Sequence, residues 1–109
     1  MQFECLKLDE VVGFDWDDGN RYKNEKKHRL KWQLIEELFF NEPLFLLEDT
    51  KHSEEECRCF ALGYTDDHLY LFVVFTKRNH KIRVISARMM NKKERSTYER
   101  LKKNTSLSK

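Results

Sequence analysis

The sequence predicts an α+β domain: two helices, a four-stranded antiparallel sheet, then a closing helix. Three observations carry this expectation. Four apolar runs follow one another between Leu44 and Met89, and the last three are joined by links of only four residues, which favours an antiparallel meander. Ahead of them, Lys31 to Phe40 places Trp32, Ile35, Leu38 and Phe39 on one helical stripe. Behind them, Asn91-Lys-Lys-Glu94 has the form of a capping box opening a final helix. Strands grouped together and flanked by helices imply helices segregated to one side of the sheet.

In chain order, Val11 to Trp16 reads as a short extended segment, and Asp17 or Asp18 can cap a highly charged surface helix running to about His28. The second helix spans Lys31 to Phe40 and stops at Asn41 and Pro43. The strands are Leu44 to Glu48, Cys57 to Tyr64, Leu69 to Thr76 and Lys81 to Met89. In the closing helix Tyr98 and Leu101 share a narrow apolar face, and the tail, residues 104–109, is expected to be disordered.

At 109 residues, 39% of them hydrophobic, the chain suits a single domain spanning residues 1–109. Its longest apolar run, Leu69 to Phe75, is far short of the roughly 20 residues that cross a bilayer. No cationic leader opens the sequence, so a cytoplasmic protein with no membrane partner is expected. The odd cysteine count gives no disulfide framework, and Cys57 and Cys59 read as small reduced residues. Charge is polarised: Met1 to Thr76 holds 9 basic against 17 acidic residues, whereas Lys77 to Lys109 holds 12 against 2. A block that basic binds nucleic acid or an acidic partner, unless it is merely solvated.

Two arginines interrupt the strand His80 to Met90. Strict alternation puts Ile82, Val84, Ser86 and Arg88 on one side and Arg83, Ile85, Ala87 and Met89 on the other, so the arginines share a face only if a bulge intervenes. No glycine-rich phosphate loop, nucleophile elbow or zinc-protease histidine pair is present. His52-Ser-Glu-Glu-Glu-Cys57 lacks tetrahedral metal spacing, and no metal or other cofactor is expected. What remains is a cationic and polar set able to act on a phosphodiester. Cleavage of RNA by its own 2′-hydroxyl needs a base, an acid for the leaving 5′-oxygen, and positive charge on the phosphorane. Arginine suits the last role, since its guanidinium forks onto two phosphate oxygens.

The stretches FDWDDGNRYKNEKKH, EELFFNEP, RCFALG, LFVVFTKR and IRVISARMMNKKERSTYER, in this order, closely resemble the BrnT family of type II toxins. The resemblance implies a RelE-like ribonuclease fold and metal-independent RNA cleavage that halts translation. It also implies neutralisation by a BrnA-type antitoxin with a ribbon-helix-helix DNA-binding domain. The two are expected to form a heterotetramer of two toxins and two antitoxins that reaches operator DNA through the antitoxin and represses its own operon. By the family's motifs, His28, Lys27, Arg58, Arg83 and Arg88 are the catalytic candidates, and Asn24, Ser86 and Tyr98 RNA-binding ones, joined by Lys92 and Lys93 of the basic final helix. Two departures stand out. Arg29 occupies the position after the histidine where the family has glycine, and Cys57 replaces the acid before Arg58. Residues 1–12 look like an addition to the usual start.

Each candidate also has a plainer reading. His28 and Lys27 suit an exposed helix end; the arginines could pair with carboxylates such as Glu94 or Glu56; Ser86 and Tyr98 could be internal hydrogen-bonding residues. The competing functional class is a binding module whose basic helix, Asn91 to Lys103, docks on an acidic antitoxin or on DNA without cutting anything.

Overall fold

The computed structural model describes residues 7–51 and 56–107. Its elements are β1 (Gly13–Phe14), α1 (Lys23–His28), α2 (Trp32–Leu38), β2 (Phe45–Glu48), β3 (Cys59–Tyr64), β4 (Tyr70–Arg78), β5 (Lys81–Met89) and α3 (Lys92–Leu107). The α+β class holds, but the sheet has five strands in the order β1-β5-β4-β3-β2, and it is mixed. The expected four-stranded antiparallel meander forms β2 to β5. The extended segment before α1 then adds a parallel strand to its β5 edge, with Gly13 opposite Lys81 and Phe14 opposite Ile82. Two residues suffice because the flanking Val12 and Asp15 N–H groups donate to His80 and Ile82 carbonyls, both at 2.8 Å.

The links follow their chemistry. Asn79 and His80, both left-handed at φ 51° and 65°, make the two-residue turn between β4 and β5, the primed geometry that suits strand twist. Between β3 and β4, the Thr65 hydroxyl accepts from Leu69 N–H and the Thr65 carbonyl from His68 N–H. Asp17 opens a turn rather than the helix itself. Its carboxylate accepts from Gly19 and Asn20 N–H, and α1 begins only at Lys23. Arg29 caps α1 in the left-handed region at φ 58°, the conformation that the family's glycine would adopt without a Cβ clash.

One face of the sheet buries the core: Leu30, Ile35 and Leu38 from the helical segment lie against Cys59, Ala61, Leu71, Val73, Phe75, Ile82, Val84 and Ala87. Gly63 sits beneath α2, where a Cβ would come within 2.9 Å of Leu38 Cγ. The expectation that all helices lie on one side is corrected by Tyr98 of α3. Its ring packs edge-on against Phe45 and Tyr70, at 5.4 and 5.7 Å, and its hydroxyl donates to the Pro43 carbonyl at 2.7 Å. Phe45 and Tyr70 belong to the opposite face, because they alternate with the residues that contact the core. A second apolar cluster on that face gave α3 somewhere to bury its stripe. The helix also runs on to Leu107, into the stretch expected to be a disordered tail. Cys59 is fully buried and disulfide-bonded, which corrects its reading as a reduced thiol. Among the described residues no helix is long and apolar enough to cross a membrane.

Candidate active site

The β4–β5 pairing contains a break that decides where the arginines go. Val74 is opposite Ser86, yet Phe75 is opposite Val84, so Ile85 is an extra residue bulged out of the ladder. The bulge resets the alternation. Ile82, Val84 and Ala87 all fall on the core face, while Arg83, Ser86 and Arg88 line up on the other, opposite Thr76, Val74 and Phe72. Strict alternation had set the arginines on opposite sides; the bulge brings them together. Carried one residue back, the alternation of β3 puts Arg58 on the same side as Phe60, whose cross-strand partner is Val74.

Beyond Phe14 the β5 edge has no neighbouring strand, and side chains from the α1 region take that place. Asn20 Nδ2 donates to the Val84 carbonyl at 3.1 Å, Lys23 Nζ to the Ile85 carbonyl at 2.9 Å, and Ala87 N–H donates to Asn24 Oδ1 at 3.0 Å. These bonds satisfy backbone groups that the open edge of β5 would otherwise leave without a partner. Asn24 is 2% exposed, so the first residue of the N-x-x-K-H motif is turned into the protein, holding β5. Helix and strand advance in the same direction, Asn20 beside Val84 and Asn24 beside Ala87. Lys27 and His28, three and four residues past Asn24 on α1, are both exposed.

Arg83 and Arg88 already have anionic company. Arg83 places its two terminal nitrogens 3.4 Å from Asp15 and 2.9 Å from Asp17. Burial would push the Asp17 carboxyl up, but the Arg83 hydrogen bond and the Gly19 and Asn20 N–H groups outweigh it and hold the group below the ordinary aspartate value. Arg88 forks onto Glu94 and also lies over the Phe72 ring, with its guanidinium carbon 4.6 Å from the centroid. Glu94 is simultaneously the third residue of the capping box: its carboxylate accepts from Asn91 N–H, while Glu94 N–H donates to Asn91 Oδ1 at 2.8 Å. The alternative carboxylate, Glu56, is taken by Arg78 at 2.5 Å.

Among the other candidates, Lys92 and Lys93 are exposed on the first turn of α3, and Ser86 is half-buried between the two arginines. Tyr98 is fully buried. Burial, followed by the neighbouring Tyr64 and Tyr70, pushes its hydroxyl up to about 12, so near neutrality it is a fixed donor and a poor base. As placed, neither Asn24 nor Tyr98 offers its side chain to a ligand. Asp15 and Asp17 meet Arg83 only through the fold, although the sequence shows three acids around Trp16. Among the described residues no group of three or more His, Cys, Asp or Glu side chains is placed to hold a metal ion, and His52 lies outside them.

Comparison with known proteins gives one family. No curated protein matches the sequence. Residues 16–94 match the family model described as the ribonuclease toxin BrnT of type II toxin-antitoxin systems, a span that begins after β1 and ends at the glutamate held by Arg88. That span covers most of the chain, with Arg83, Arg88, Asp17 and Glu94 inside it, and the protein therefore belongs to the BrnT family of ribonuclease toxins.

Proposed function

We propose that this chain is a metal-independent endoribonuclease that halts translation in the cytoplasm, with its site on the sheet face opposite the core. The observation that supports the reading is the bulge at Ile85, which puts Arg83, Ser86 and Arg88 on one face of β5; the exposed Lys27 and His28 of α1 and Lys92 and Lys93 of α3 complete the cationic set in this reading. In this reading Arg58, Arg83 and Arg88 stabilise charge on the phosphorane formed when a ribose 2′-oxygen attacks the adjacent phosphorus. His28 and Lys27 exchange protons with the attacking 2′-hydroxyl and the departing 5′-oxygen. Ser86, Lys92 and Lys93 hold the backbone, while Asn24 and Tyr98 act from within, one fixing β5 and the other fixing α3.

Its family makes an antitoxin the natural partner. We infer that this is a BrnA-type ribbon-helix-helix protein, that two toxins and two antitoxins assemble and repress the operon through operator DNA, and that the cationic face of this RelE-like ribonuclease is what the partner covers. A second reading has its own support: Arg83 and Arg88 are both engaged by carboxylates, as expected of a basic face that binds without cutting. One experiment separates them. Purified chain incubated with RNA in EDTA should degrade it, and an Arg83→Ala/His28→Ala variant of unchanged melting temperature should not. Intact RNA with the unmodified chain would favour the binding module, and full cleavage by the double variant would refute the site.

A further inference from the structure

A cavity of about 330 Å³ opens where β5 ends and α3 begins, close to the ~300 Å³ lower bound of small-ligand sites. Its walls include His68, Tyr70, Met89, Met90, Lys92 and Arg95, and no acidic side chain lines it. Of these only Lys92 figures among the candidates above. Two further cavities among the described residues differ in kind: one, around Val12, Phe14 and Phe40, is lined by apolar side chains and a glycine, and the other includes Glu42.

The wall chemistry is aromatic and cationic together. Arg95 lies over the Tyr70 ring, its guanidinium carbon 3.4 Å from the centroid. Its link to Glu99 is a long 3.4 Å contact between half-exposed groups, so a ligand phosphate could compete for it. On the other side the His68 imidazole stacks on Tyr64, 5.5 Å between centroids and 18° between planes. The ring is held there by a left-handed backbone at φ 64° that closes the β3–β4 turn. Flat rings beside cations, with no competing carboxylate on the walls, recognise a nucleobase and its phosphate. The cavity adjoins the arginine face through Tyr70, which shares a side of β4 with Phe72, the ring over which Arg88 lies.

Resting on the ribonuclease reading above, we propose that this cavity is the subsite for the RNA nucleotide next to the cleaved phosphate. Its base lies against His68 and Tyr70, and its own phosphate is gripped by Arg95 and Lys92. His68, Tyr70 and Arg95 then set which nucleotide flanks the cut, without taking part in proton transfer.

The test uses the full chain with His68→Asn, which tolerates the left-handed backbone, and Arg95→Gln, which keeps the helix; both variants are first checked for an unchanged melting temperature. A short fluorescent 2′-O-methyl RNA, which cannot be cleaved through its 2′-oxygen, reports binding by anisotropy. Each substitution should weaken it about tenfold, the scale of one stacked base. An abasic version should bind the unmodified chain more weakly and be indifferent to His68→Asn. On cleavable RNA, both variants should cut with a changed nucleotide preference beside the scissile bond. Unchanged affinity together with unchanged preference would overturn the subsite, as would failure of the unmodified chain to bind the 2′-O-methyl RNA. If the chain binds that RNA in a His68-dependent way but cuts nothing, the ribonuclease reading fails, the placement beside a scissile phosphate falls with it, and the cavity stands only as a nucleotide-binding site.

Discussion

Arg88 closes both terminal nitrogens on the carboxylate of Glu94, each at 2.8 Å, and so ties the end of β5 to the first turn of α3. Burial alone would raise the Glu94 carboxyl, but Arg88 and the Asn91 N–H more than offset it, leaving the group below its ordinary 4.5. A depressed carboxylate contributes stability that is present above the ordinary value and is lost as pH falls through the depressed one. Glu94→Ala should cost about 1 kcal/mol at pH 7, mostly through the lost cap because Arg88 is substantially exposed. Urea unfolding at pH 7 and at stepwise lower pH should show the gap between the two proteins closing in acid.

Asp17 holds Arg83 in the same way but at the surface, 52% exposed. Asp17→Asn should leave stability nearly unchanged, since exposed pairs contribute little. It should nevertheless strengthen binding to single-stranded RNA and steepen the plot of log affinity against log salt by about 0.7, one more phosphate contact. Anisotropy titrations between low and moderate salt read both quantities. An unchanged slope would assign Arg83 to structure alone.

Asn24 accepts from the Ala87 N–H while almost fully buried. Asn24→Ala would leave that donor unpaired beside the bulge and should destabilise the protein by about 1–3 kcal/mol. Hydrogen exchange at Ala87 should accelerate in the variant, which separates loss of this bond from a general loss of stability.

Gly63 has no room for a methyl group, with Leu38 Cγ at 2.9 Å and Leu44 Cδ1 at 3.3 Å from its ideal Cβ. Gly63→Ala should cost about 1–3 kcal/mol by overpacking, read as a lower melting temperature. Trimming Leu38 to Ala in the same chain should recover part of that cost, because the two changes share one space.

Arg29 adopts a backbone conformation that L-residues resist. Arg29→Gly should raise stability by about 0.5–1 kcal/mol, with the gain visible in thermal melts and no change in the far-ultraviolet spectrum.

The sequence made several elements plain and hid others for identifiable reasons. The capping box at Asn91 and Glu94, the α2 stripe through Ile35 and Leu38, and the strands ending at Tyr64 and Met89 followed from local pattern, while the strand between them runs to Arg78, two residues past the expected Thr76. β1 did not, because two residues carry no periodicity and pair only once β5 exists to receive them. The side on which α3 packs was equally hidden. Phe45 and Tyr70 alternate with core residues, but alternation cannot say which face a distant helix will cover. The family's motifs named Asn24, Arg83 and Arg88, whereas their carboxylate and backbone partners come from segments up to 68 residues away in the chain: Asp15 reaches Arg83 only through the fold.

The extra residue at position 85 makes the reactive surface a question of parity. In a ribbon whose sides alternate, losing or gaining one residue between Arg83 and Ser86 would exchange odd for even along part of β5. A cation would then enter the apolar interior, or an aliphatic chain would be turned to water. This stretch can therefore accept many changes of letter but hardly any change of length.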